Sequence, residues 1–80
     1  MKIYDFDGKK NICGARIREA RKKLNISQDD LAARLQVSGV IIERNSISRI
    51  ESGVRFVADY ELLVFSKILN VTPAYLLGIE

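Results

Sequence analysis

The chain of 80 residues contains no histidine, no tryptophan, one cysteine and one proline. A lone cysteine cannot form an internal disulfide, and without histidine there is no Cys/His cluster that could bind zinc. Cys13 is therefore predicted to be a small buried apolar residue. The sequence also has no glycine-rich phosphate loop and no clustered carboxylates. It predicts neither an enzyme nor a bound cofactor, metal or small-molecule ligand.

Long apolar runs are absent as well, so the sequence predicts no membrane-spanning segment. The opening "MKIYDFDGKK" lacks the apolar stretch that a signal peptide needs. We therefore expect a cytoplasmic protein that does not contact the membrane. At this length we expect one domain, over residues 12–80, preceded by an N-terminal arm over residues 1–11.

The net charge is only +3, but the basic residues are unevenly distributed. Eight of the 13 lie before Leu24, against three acidic residues in the same stretch. A basic first third suits a polyanionic partner. It equally suits a solvated helix face, and the charge alone does not separate the two interpretations.

Helix-capping signals divide the chain into five short helices, which predicts a compact all-α domain. Asn11 and Asn25 are expected to bound a first helix over residues 12–24, with Ile17, Ala20 and Leu24 at helical spacing. Four further helices are expected over residues 28–36, 45–53, 59–70 and 72–78. Their expected N-caps are Ser27, Asn45–Ser46, Asp59 and Thr72. The fourth carries an apolar stripe of Leu62, Leu63, Phe65, Ile68 and Leu69.

The third helix, "NSISRIESG", is amphipathic. At about 100° per residue, Ile47 and Ile50 share one side. The opposite face carries Arg44, Asn45, Ser48, Arg49 and Ser52. Arginine can bind guanine and asparagine can bind adenine through paired hydrogen bonds, whereas serine suits phosphates. An ordinary amphipathic helix with a polar surface explains the same pattern.

Three stretches, "ISQDDLAARLQV", "SISRIESG" and "LNVTPAYLLG", together resemble the phage repressor/Cro-like helix-turn-helix family, also called the XRE family. The resemblance extends over roughly residues 14–78. It implies a repressor-like domain in which helices 2 and 3 form the helix-turn-helix. It also implies a sequence-specific transcriptional regulator, a repressor, that binds double-stranded operator DNA. The expected operator is an inverted repeat bound by a homodimer.

The resemblance also assigns roles to individual residues. Base contacts are expected from Arg44, Asn45, Ser48 and Arg49. Contacts to the DNA backbone are expected from Ser27, Gln28, Ser46, Ser52, Arg55 and Arg18. Arg21 and Glu51 match a structural ion pair that joins the first and third helices. Ala32 is small where the two motif helices cross, and Leu31, Leu35, Val37, Ile47 and Ile50 are expected to brace the motif.

The sequence departs from the family at the turn between helices 2 and 3. Gln36 stands where the family usually has glycine, and about five extra residues lie around positions 39–43. One arrangement is an enlarged loop in which Gly39 makes the turn, Val40 and Ile42 point inward and Ile41 is exposed. The other extends the third helix back to Val40. The β-branched run at 40–42 is a poor helix start, which favours the loop.

One alternative function uses the same helical fold as a protein-interaction module, for example an antitoxin. Its expected surfaces are Ile41 and the stretch Tyr75-Leu76-Leu77. The segment 1–11 has two open interpretations, a DNA-touching arm or a segment that packs against the domain or a second subunit. Lys9 and Lys10 border this segment.

Overall fold

A computed structural model describes residues 5–79, and five α-helices follow one another along this range. They are α1 (Gly14–Lys23), α2 (Gln28–Val37), α3 (Arg44–Glu51), α4 (Asp59–Ile68) and α5 (Pro73–Leu76). Within these residues no strand forms, and β pairing is limited to one bridge between Phe6 and Lys9. The prediction of an all-α five-helix domain is confirmed. None of the described helices is long and apolar enough to cross a bilayer.

The first helix begins two residues later than the sequence predicts. Cys13 holds the N-cap position, because its carbonyl is the first to accept from the helix, from the Ile17 N–H at 2.9 Å. Asn11 still acts ahead of it, since its Oδ1 accepts from the Gly14 N–H at 2.8 Å. At the other end Asn25 adopts a left-handed φ of 57° and terminates the helix as expected.

The second helix begins with the expected serine cap. The Ser27 hydroxyl accepts from the Asp30 N–H, and the Asp30 carboxylate accepts from the Ser27 N–H, both at 3.0 Å. This reciprocal pair is a capping box, and its hydrogen bonds hold the pKa of Asp30 below the usual value. The helix ends one residue later than predicted, at Val37. That side chain is 89% exposed, so its expected bracing role is wrong.

The enlarged turn takes the loop arrangement. Gly39 adopts a φ of +89°, and the Val40 N–H then donates to the Leu35 carbonyl at 2.9 Å. Ile42 is buried in the core and Val40 packs against it, while Ile41 is 71% exposed. An inward side chain at 42 fixes the chain just ahead of α3.

The third helix begins at Arg44, one residue before the start predicted with the loop arrangement and four residues after the start at Val40 in the other arrangement. Its N-cap is Glu43, whose carbonyl accepts from the Ile47 N–H at 2.9 Å and closes the first turn. Glu43 makes no side-chain capping bond, so no local residue type signals this start. The cap expected at Asn45–Ser46 is therefore wrong, and Arg44 belongs to the helix rather than to the loop.

The fourth and fifth helices are capped differently from one another. In α4 the N-cap is Ala58, so the cap expected at Asp59 is wrong. The Glu61 carboxylate instead accepts from the Ala58 N–H at 3.0 Å. In α5 the expected cap is present, because the Thr72 hydroxyl accepts from the Tyr75 N–H at 3.0 Å.

The core is a single apolar cluster to which every helix contributes. Its fully buried members are Ile17, Leu31, Leu35, Ile47, Ile50, Phe65, Leu69 and Leu76. Leu24 and Leu63 are exposed, which corrects their place in the expected apolar stripes. Leu76 cannot serve as part of an exposed interaction surface, because it packs inside the core. Cys13 is buried as predicted, and burial raises its pKa to about 11.

Candidate nucleic-acid interface

The third helix separates an apolar side from a polar side completely. Ile47 and Ile50 are fully buried against the other helices. Four side chains with DNA-reading chemistry are exposed on the other side: Arg44, Asn45, Ser48 and Arg49. Ser52, the residue that follows α3, extends this exposed row, and Ser46 is half-buried beside it. The structure therefore brings the predicted base-facing residues together on one rigid, solvent-accessible helix face.

A buried ion pair fixes this helix against the first. Arg21 donates to Glu51 through Nε at 2.7 Å and through Nη2 at 3.0 Å. The two side chains are only 10% and 3% exposed. The hydrogen bond to Glu51 raises the pKa of Arg21, so the guanidinium stays charged. Such a bidentate pair sets the orientation of α3 relative to α1 as well as the distance between them.

The same carboxylate ties the second helix to the third. Gln28, the first residue of α2, donates from Nε2 to Glu51 at 3.1 Å, and Arg21 donates to the Ile26 carbonyl at 2.9 Å. Helices α1, α2 and α3 therefore meet at one hydrogen-bonded cluster. Gln28 remains half-exposed at the α2 N-terminus, beside the capping residue Ser27.

The crossing of α1 and α3 depends on Gly14, a position that sequence reasoning did not single out. A Cβ atom at Gly14 would overlap the Ile50 carbonyl oxygen. Gly14 itself is buried at this contact. The sequence carries no local signal for this role, because the partner lies 36 positions away along the chain.

At the start of α3, Arg44 forms only a long, exposed ion pair. Arg44 Nε lies 3.9 Å from the Asp29 carboxylate, and both side chains are largely exposed. Solvent-exposed pairs at this distance stabilise a fold by less than about 1 kcal/mol. The Arg44 guanidinium is thus available to another partner at little cost.

Beyond α3, Arg55 has an unpredicted partner. Its guanidinium donates to both carboxylate oxygens of Glu61 at 3.2 Å and to the Phe56 carbonyl at 3.1 Å. The Glu61 side chain is almost completely buried, so Arg55 neutralises an interior charge. These bonds hold the loop between α3 and α4 in place, and the phosphate contact expected of Arg55 stays a prediction.

Two other residues predicted to contact the DNA backbone, Ser52 and Arg18, lie in different parts of the fold. The Ser52 hydroxyl donates to the carbonyls of Ser48 and Arg49, at 3.1 and 3.2 Å, and the residue is exposed. Arg18 lies exposed on α1 and has no ion pair within residues 5–79.

The described part of the N-terminal arm packs against the end of α3. Phe6 and Lys9 exchange backbone hydrogen bonds across a tight Asp7-Gly8 turn. The Lys10 N–H donates to the Gly53 carbonyl at 2.8 Å. Residues 5–11 therefore pack against the domain, residues 1–4 lie outside the described range, and the DNA-touching interpretation stays a prediction.

Comparison with known proteins agrees with this geometry. A family model described as "Helix-turn-helix domain" matches residues 14–78. A similar solved structure is that of the P22 c2 repressor protein in complex with synthetic operator 9T in the presence of Tl+. It is 38% identical, with a TM-score of 0.67, and 86% of this chain and 97% of that chain are covered. No curated protein sequence matches this chain. The chain belongs to the helix-turn-helix domain family, of the phage-repressor-like (XRE) type that its motifs resemble.

Proposed function

We propose that the protein is a sequence-specific regulator of transcription that inserts α3 into the major groove of double-stranded DNA. The observation that carries this proposal is the exposed row Arg44, Asn45, Ser48 and Arg49 on a helix whose other side is buried. The major groove of B-form DNA admits one α-helix, and these side-chain types can bond to base edges. The family and the repressor–operator relative support the same function.

Some arginines are held in buried ion pairs and others are not, and this difference supports separate structural and DNA-binding roles. Arg21 and Arg55 are held by the buried carboxylates of Glu51 and Glu61. Arg49 has no ion pair among the described residues and stands exposed on α3. A guanidinium that is free in the unbound protein loses no protein contact when it binds a base. We assign Arg49 and Asn45 to base contacts, with Arg44 and Ser48 beside them.

The backbone contacts are assigned to polar groups that surround this row. Ser27 and Gln28 stand at the N-terminus of α2, where backbone amides and the helix dipole favour a phosphate. Ser46 and Ser52 flank the row, Arg18 stands exposed on α1, and Arg55, which orients the loop after α3, is assigned to a phosphate with them. Such contacts set the position of the protein on the duplex without reading its sequence.

We further propose that the protein represses transcription as a homodimer on an inverted repeat. The relative's title describes a repressor bound to an operator. One eight-residue helix can read only a few base pairs, so a second copy is needed for useful specificity.

Selection of bound sites from random duplexes, followed by binding assays on the selected site, tests the function. Arg49→Ala should weaken binding to the selected site by roughly 5- to 150-fold, the discrimination of one bidentate base contact. Binding to random duplexes should change far less. Arg34→Ala removes an exposed arginine from α2 and serves as the matched control. Equal losses on selected and random DNA would remove the base-reading role of Arg49.

One observation favours a second function, a protein-interaction module. Val37 and Ile41 leave two large apolar side chains exposed beside the enlarged turn. Salt titration separates the two functions, because DNA affinity falls steeply as salt rises whereas an apolar interface responds little. Binding of duplex DNA that does not respond to salt would contradict the proposed function.

A further inference from the structure

The N-terminal segment adds an element that the family model does not include. The match begins at residue 14, yet residues 5–13 are ordered against the matched domain. The segment begins with the hairpin-like turn of Phe6–Lys9, in which Asp7 and Gly8 both have positive φ. This combination is typical of a type I′ turn, which folds locally.

The segment is anchored to the carboxyl end of α3 by specific hydrogen bonds. The Asn11 side-chain amide donates to two carbonyls, that of Ile50 at 3.0 Å and that of Arg55 at 2.7 Å. The backbone of Lys10 donates to the Gly53 carbonyl at 2.8 Å. The Ile50 carbonyl also accepts from the Gly53 N–H at 3.0 Å, so the segment joins the hydrogen bonds that close the end of α3 and its following turn. The position of the segment is therefore coupled to the position of α3.

This anchoring places Lys9 beside the exposed row of α3. The Lys9 side chain crosses Gly53 so closely that a Cβ atom there would lie 3.1 Å from Lys9 Cδ. Lys9 and Ser52 line the same open cleft, and Ser52 is the last residue of the row. Lys9 is exposed and has no ion pair among residues 5–79.

We infer that the N-terminal segment extends the DNA-backbone interface, with Lys9 as a phosphate contact at the carboxyl end of α3. The inference rests on the proposed function. In helix-turn-helix docking the first residues of the recognition helix contact base edges, so its other end lies nearer the phosphates. An exposed lysine whose aliphatic stem packs against Gly53 at that end adds a counterion-releasing contact that the helix-turn-helix itself does not supply.

The test is the salt dependence of affinity for the selected duplex, measured by fluorescence anisotropy on the full chain. Lys9→Gln removes the charge and keeps most of the side-chain length. It should reduce the slope of log affinity against log salt by about 0.9, the value of one phosphate contact on B-form DNA. It should also weaken binding to selected and random duplexes by the same factor, because a phosphate contact carries no sequence information.

Lys67→Gln is the matched control. Lys67 is an exposed lysine in the last turn of α4, without an ion pair in the described part of the chain, and its loss changes the net charge equally. If Lys9→Gln and Lys67→Gln gave the same slope of log affinity against log salt, and both still bound the selected site, the inference about Lys9 would be overturned. The proposed function would then still stand. Failure of the unaltered protein to bind duplex DNA in a salt-dependent way would overturn the proposed function and the inference together.

Discussion

At the scale of single residues, polar side chains inside the domain determine where the exposed ones stand. Glu51 accepts hydrogen bonds from Arg21 and Gln28, so one carboxylate joins three helices. Charged groups are costly to bury unless they are paired and hydrogen-bonded, and both partners here satisfy that condition. The gain is geometric: α3 is held at a fixed angle, which fixes the direction of its outward face.

Glu51→Ala should destabilise the protein strongly, because it leaves the Arg21 guanidinium buried and without a carboxylate. Breaking one partner of a buried pair costs roughly 3–5 kcal/mol. In a domain of this size each kcal/mol corresponds to about 4–8 °C in melting temperature. Thermal unfolding followed by circular dichroism measures the effect.

Glu19→Ala is the matched control, since Glu19 pairs with Lys23 on the surface of α1 at 3.6 Å. Exposed pairs of this kind contribute less than about 1 kcal/mol. Equal melting temperatures for the two variants would mean that burial of the Arg21–Glu51 pair does not contribute to stability.

At the scale of elements, the sequence predicted what depends on local chemistry. The serine and threonine caps of α2 and α5 are correct, because a side-chain oxygen that reaches an amide three residues on is a local interaction. The predicted start of α3 and the predicted cap of α4 are wrong, since Glu43 and Ala58, which hold the two N-cap positions, contribute no capping side chain. At α3 the first helical turn follows Ile42, which is buried in the core two residues ahead of the helix.

In the candidate site, too, local features could be predicted from the sequence and long-range contacts could not. The polar face of α3 follows from the helical period and could be derived from the sequence. The Asn11 contacts with Ile50 and Arg55 join residues 39 and 44 positions apart, and no local pattern predicts them. The Arg55–Glu61 pair is closer in sequence, six positions apart, but lies across the irregular loop before α4. Periodicity carries no information in such a loop.

Gly14→Ala should displace α3 from α1. The added methyl group would overlap the Ile50 carbonyl, and backbone atoms cannot move aside as a flexible side chain can. Overpacking of this kind typically costs about 1–3 kcal/mol, so both the free energy of unfolding and DNA affinity should fall. Urea unfolding and binding to the selected duplex measure the two effects.

Ala15→Gly measures the difference in helix propensity between alanine and glycine, because Ala15 is the exposed neighbour of Gly14 on α1. It should leave DNA affinity unchanged and stability within about 1 kcal/mol. An unchanged affinity for Gly14→Ala would show that the α1–α3 contact does not set the angle of the reading helix.

At the scale of the whole molecule, the number of base pairs that one chain can contact limits its specificity for a DNA sequence. Four exposed side chains on α3 can contact only a few base pairs. Each wrong base pair costs about 1–3 kcal/mol, whereas a genome offers roughly 10⁶–10⁹ competing sites. A second chain multiplies the discrimination, because both half-sites must then match.

The homodimer proposal makes a sharp prediction about spacing. Two α3 helices in a symmetric pair face the same side of the duplex, with half-site centres about 10–10.5 base pairs apart. Inserting about 5 base pairs between the half-sites turns one of them by half a helical turn to the opposite side. We expect this insertion to reduce affinity nearly to that of a single half-site. Shuffling bases at the same positions without changing the spacing is the control and should have a much smaller effect. Affinity that does not depend on the insertion would contradict the paired arrangement, while sequence-specific binding to one half-site would leave the role of α3 intact.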